Sequence, residues 1–205
     1  MNETPSTCSR TETLAREAGS AILAGASIGI AATVYLKVSG LPGAFLFGFG
    51  LMAVITLGFN LFTGKAQYVF GRKGSLWLAM MLVYNLIGTY IVALLTDTPA
   101  LSEASQAILD IRTSQGWLKC GLLAIPCGFI MTTAVRGALG GNWWPLILGV
   151  PTFILCGFPH CIADSFYVWC APDPLEFISQ CYIPAVAGNY IGCNLYRMAP
   201  VKSFH

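Results

Sequence analysis

Charge is scarce in this sequence. Asp, Glu, Lys and Arg make up 10% of its 205 residues, against about 25% in an ordinary soluble domain. Apolar residues reach 56% and the mean hydropathy is +0.68, so a globule of this size could not hide its apolar surface from water. The net charge of +2 is too small to suggest a nucleic-acid partner. A basic start followed by a short apolar core and a cleavage site is missing from residues 1–30, so no cleaved signal peptide is expected. Despite eight cysteines there is no CxxC-type metal-ligand spacing. No nucleophile–base–orienter set can be assembled either, so neither a metal, another cofactor nor an enzymatic activity is expected.

The few charges divide the chain. Charge-free runs occupy residues 18–36, 38–64, 74–96, 120–135, 137–163 and 177–196. A bilayer crossing takes about 20 mostly apolar residues, so the pattern predicts an all-α integral membrane protein with six transmembrane helices. Trp117 and Leu118 extend the short fourth run, with Lys119 snorkelling. If the amino terminus is cytoplasmic, the inner segments hold Arg10, Arg16, Arg72, Lys73, Arg136, Arg197 and Lys202, and the outer ones only Lys37, Arg112 and Lys119. That bias matches the positive-inside rule. The expected organisation is a cytoplasmic tail, residues 1–17, and one membrane domain, residues 18–205, in a cell inner (plasma) membrane with both termini cytoplasmic. Membrane lipid is the expected surround. Cys170 and Cys181 flank the last outer loop and could pair in an oxidising compartment.

Two runs are too long for single straight spans, and each is interrupted by a glycine-led polar patch. These are "GFNLFTGK" (Gly58 to Lys65) and "GFPHCIAD" (Gly157 to Asp164). Each is followed by a second echo, "NLIG" (Asn85 to Gly88) and "NYIG" (Asn189 to Gly192), read as helix-packing motifs. The order suggests two copies of a three-span unit, about residues 18–96 and 117–197. Three is odd, so consecutive copies face opposite ways. Paired interrupted segments in inverted halves point to a transport site near the midplane. Broken backbone survives in hydrocarbon only where protein or a wet cavity surrounds it.

At these breaks the sequence resembles the formate–nitrite transporter family. "FGFGLMAVITLGFNLFTGK" (Phe47 to Lys65) is similar to that family's second span, "FILCGFPHCIAD" (Phe153 to Asp164) to its fifth, and "GNYIG" (Gly188 to Gly192) to its sixth. The resemblance covers about residues 15–197. It implies an aquaporin-like fold with spans two and five broken, a homopentamer with one pore per subunit, and passage of small monovalent anions or their acids. It also implies that His160 is the central pore histidine. Phe47, Leu51 and Phe153 would be constrictions, and Leu61, Phe62 and Thr63 the loop beside the pore. The sequence departs from the family at Pro159, where a Glu is usual, and near Ile125, where an Asn is usual. The loop lysine before the fourth span has no clear match; the nearest charges are Asp110 and Arg112. Lys65 and Asp164 stand where the family has Asn at the end of each break.

Lone charges at membrane depth tend to pair or to serve an ion path. Lys65 and Asp164 are therefore read as an ion pair tying the two breaks together, or Lys65 as a pore charge. His160 has the residue type for a switchable charge, since histidine ordinarily titrates near pH ~6.5. It would attract or protonate an anion; the other reading is a structural histidine hydrogen-bonded within the break. The functional expectation is a channel or transporter for a small weak-acid anion of the formate, nitrite or hydrosulfide kind. Two alternatives stay open: a channel for a neutral solute or ammonia, and a non-transporting scaffold subunit with a degenerate pore.

Overall fold

A computed structural model describes residues 10–69 and 72–198. Among these the regular structure is all helix, without strands. The first helix, α1 (Arg10–Val38), runs back into the stretch assigned to a tail; residues 1–9 lie outside the described part. It reverses at Ser39 and Gly40, both left-handed (φ 53° and 59°), into α2 (Gly40–Thr56). A short α3 (Phe62–Lys65) follows, then α4 (Arg72–Thr96) and α5 (Pro99–Thr113). The second half repeats the order with α6 (Trp117–Leu139), α7 (Trp144–Leu155) and α8 (Cys161–Cys170). Its last helix is composite: α9 (Leu175–Phe177) passes through a π turn (Ile178–Tyr182) into α10 (Ile183–Asn194).

By length and composition, three of these helices are long and apolar enough to cross a membrane: Thr11–Val38, Gly74–Thr96 and Trp117–Leu139. The other expected spans are composite: α2 with α3, α7 with α8, and α9 with α10.

Both interruptions are made the same way. α2 ends when Gly58 takes a left-handed φ of 70°; its N–H donates to the Ile55 carbonyl (3.2 Å) and that of Phe59 to Val54 (2.9 Å). α7 ends when Gly157 takes φ 67°; its N–H donates to Ile154 (3.0 Å) and that of Phe158 to Phe153 (3.0 Å). This is the Schellman arrangement, in which glycine avoids the Cβ clash of the left-handed state and the last carbonyls gain partners. The repeated Gly-Phe pair is thus a helix stop.

The echoing asparagines satisfy what the stops expose. Asn85 Oδ1 accepts the Phe62 N–H (2.8 Å), while Nδ2 donates to the carbonyls of Ala21 (2.7 Å) and Asn60 (2.9 Å). Asn189 does the same for Cys161 (2.8 Å), Ala124 (2.9 Å) and Pro159 (2.9 Å). The glycine after each asparagine lets two helices touch backbone to backbone: a Cβ on Gly88 would meet the Ile22 carbonyl, and one on Gly192 the Ile125 carbonyl. Thus α1 packs on α4 and α6 on α10 by one rule used twice.

The segment between the repeats, expected as an outer connection, contains α5. Thr98 caps it, its Oγ1 accepting the Leu101 N–H (3.3 Å), and Pro99 opens it. Its buried face is Leu101, Ser105, Leu109 and Arg112, at helical spacing. That face lies against α8.

Candidate functional site

The two breaks meet at one contact. Thr63, on α3, places Oγ1 3.0 Å from His160 Nε2, and both residues are enclosed. His160 is the N-cap of α8, its Nδ1 accepting the Ala163 N–H (3.1 Å). An accepting Nδ1 carries no proton, so this network puts the proton of a neutral imidazole on Nε2, donated to Thr63. One histidine thus ends one broken element and grips the other.

Two aromatic rings stack outward from it. The Phe153 ring lies 5.6 Å from His160, inclined at 29°, and Phe47 meets Phe153 edge-on at 5.9 Å and 87°. Phe47, Phe153 and His160 are 2%, 3% and 1% exposed, so the three rings form a closed stack. Immediately beyond lies a vestibule of about 300 Å³. It is lined by Phe47, Phe153 and His160, by Cys156 and Gly157 at the end of α7, and by the polar groups of Arg112, Gln115, Tyr35 and Tyr167.

The structure brings Phe47, Phe153, Thr63 and His160 together. Leu51, Leu61 and Phe62 are buried in the core but do not line this vestibule. The expected Lys65–Asp164 pair is replaced by another: Asp164, fully buried, pairs with Arg112 of α5. The reason is directional. From the Thr63–His160 contact the chain after α3 leads to the end of α10, where the Gln67 carbonyl accepts from Tyr196 (2.9 Å) and Arg197 (2.6 Å). α8 leads instead toward α4 and α5, with Ser165 at Thr89 (2.8 Å). Equivalent ends of the two breaks therefore diverge, and their charges with them. Cys170 and Cys181 are free buried thiols, unbridged; Cys181 Sγ contacts the Arg112 carbonyl (3.6 Å). The π turn that carries Cys181 packs against α5, α6 and α8, and its thiol is set at the Arg112 carbonyl instead of at Cys170.

Arg112 is the site residue that the motifs miss. Its guanidinium pairs with Asp164 and lies 5.6 Å from the Tyr167 ring centroid. The signal was the spacing of Leu101, Ser105, Leu109 and Arg112, one face of an amphipathic helix with a cation at its end. A larger cavity of about 400 Å³ between α1 and α4 is lined by Leu14, Trp77, Met81 and Tyr84. Its one carboxylate, Glu17, accepts from Trp77 Nε1 (3.2 Å), and of the two breaks it reaches only Asn60 of the first.

The profile of the family described as formate/nitrite transporter matches residues 8–200, nearly the whole chain. The chain belongs to the formate/nitrite transporter family. Members similar to it include an uncharacterized transporter, YrhG, of Bacillus subtilis, 29% identical over 76% of this chain and 68% of the relative. The formate channel FocA of Haemophilus influenzae is 22% identical over 91% of this chain and 75% of its own length. A solved pentameric formate channel with formate bound superposes with a TM-score of 0.81 at 23% identity, covering 93% of this chain and 96% of that one. The all-helical fold is therefore that of the family's channels.

Proposed function

We propose that this chain forms a membrane channel for small monovalent weak-acid anions of the formate kind, with His160 at the narrowest part of its path. The carrying observation is the stack of Phe47, Phe153 and His160 held against Thr63 where the two broken elements meet, open on one side to a vestibule that holds Arg112. In this reading α1, α2 with α3, α4, α6, α7 with α8, and α9 with α10 are six crossings in two inverted halves. Both termini are cytoplasmic in an inner (plasma) membrane, and five copies assemble with one path each, as in the pentameric channel of like fold.

A bare anion loses hydration on passing two phenylalanine rings, which is costly without compensating donors. The site supplies one free donor, the hydroxyl of Thr63, which keeps its own proton while it accepts from the imidazole; the Nε2–H of His160 becomes a second once an anion displaces Thr63 as its acceptor. A weak acid has a second option, crossing the rings as the neutral species. The vestibule reaches His160, which favours a working path over a degenerate one.

The test is formate flux into proteoliposomes with wild-type protein and His160→Phe. The wild type should move formate faster on acidification, whereas an ammonia path would slow. His160→Phe, if assembled, should lower flux at least tenfold; unchanged flux removes His160 from the mechanism.

A further inference from the structure

Asp164 is the only described carboxylate that the fold encloses completely. Beyond the ion contact with Arg112, neither of its oxygens has a hydrogen-bond partner. A buried carboxylate usually collects several donors; this one depends on one guanidinium and the amino-terminal end of α8, in whose first turn it lies. The same guanidinium lines the vestibule through which an anion would reach His160.

Two anions cannot share one guanidinium cheaply in a water-poor site. When a small carboxylate forks onto Arg112, Asp164 loses its counter-charge, and the negative charge left behind must be cancelled or expelled. The other groups facing the pair offer no cation. α1 brings Tyr35, α6 brings Cys120 and Cys127, α8 itself brings Tyr167, and the π turn brings Cys181, while the uncharged Thr89 of α4 bonds Ser165, next to Asp164. Nor is His160 a ready proton acceptor: its Nδ1 lone pair already holds the Ala163 N–H, and protonation there would break the cap and set a cation against the positive end of α8.

We infer that Asp164 is the proton site of an anion–proton pair: a small carboxylate engaging Arg112 in the vestibule releases Asp164, which takes up one proton. The step is an acid–base exchange. One proton from the bulk solution, relayed by vestibule water that is itself left unchanged, reaches a carboxylate oxygen, no electrons move, and the site gains one negative and one positive charge together. Arg112 then serves as the anion's ligand and Asp164 as its obligatory counter-titrator. The inference rests on the transport reading above and adds the residue that couples protons to it.

Formate is the probe. In proteoliposomes the wild type should take up one proton per formate above the protein-free vesicle background. Its uptake should fall by up to about tenfold per pH unit above the site's titration range. Asp164→Asn leaves Arg112 without a fixed counter-ion. It should bind formate with no proton uptake, show a flat pH profile, and admit chloride, which the wild type excludes at least tenfold better. A variant that keeps the wild-type proton ratio and pH profile overturns the inference and returns the proton to His160. A second measurement needs no variant. Infrared difference spectra of the purified wild type, with and without isotope-labelled formate, should show a new protonated-carboxyl stretch. Its absence overturns the inference even if Asp164→Asn fails to assemble. Should wild-type vesicles move no formate, the transport reading fails, while the carboxyl stretch still decides the binding step.

Discussion

At the scale of single residues, the structure turns on side chains that serve backbone left open by the breaks. Asn189 offers one acceptor and two donors to the groups of Cys161, Ala124 and Pro159, and is itself fully buried. Asn189→Leu keeps the volume and strands all three. At about 1–3 kcal/mol for each buried polar group left unpaired, it should abolish assembly or lower thermal stability in detergent by several kcal/mol. Asn189→Asp retains the acceptor and should fall between, as the unfolding midpoint would show. The echo of Asn85 and Asn189 was legible in the sequence because a polar residue repeated at matching places in apolar spans has few reasons to exist. The partner of Asp164 was not legible. Two charges at equivalent positions suggest a pair, but the chain after α3 leads to the end of α10 while α8 packs against α4 and α5, and the true partner comes from α5, between the two broken elements.

At the scale of elements, the two kinds of glycine differ in what they tolerate, and magnitudes separate them. Gly157 has a left-handed φ of 67° and open space where a Cβ would stand. Gly157→Ala should cost only the strain of that conformation, about 1–2 kcal/mol. A Cβ at Gly192 would overlap the Ile125 backbone, so Gly192→Ala must push α10 off α6. The loss should exceed that of Gly157→Ala at least twofold in free energy, read from thermal unfolding of the two variants in the same detergent. Equal losses would mean that α6 and α10 yield easily. The stops and the tight crossings were readable beforehand because both rest on glycine in short patterns. α5 was hidden for the opposite reason: its four buried residues include Ser105 and Arg112, so the stretch reads as a polar connection unless its periodicity is weighed above its composition.

At the scale of the whole molecule, membership of the family and the likeness to a pentameric channel leave sidedness to be tested, and one thiol reports it. Cys156 is exposed and lines the vestibule, whereas the other described cysteines are buried. The vestibule lies on the side of α5, and in the orientation proposed above, with both termini cytoplasmic, α5 would lie outside, opposite Arg136 and Arg197. A membrane-impermeant, negatively charged thiol reagent added outside intact cells should therefore label Cys156 and place a fixed anion beside Arg112. Anion flux should fall severalfold, more than with a cationic reagent of similar size, because the first repels the permeant ion and the second does not. Cys156→Ala should be insensitive to both. Labelling of Cys156 only from the inner face would invert the orientation while leaving the fold intact. Labelling from outside with no loss of flux would separate this vestibule from the conducting path, since a charge fixed at its mouth cannot be ignored by an anion that must pass it.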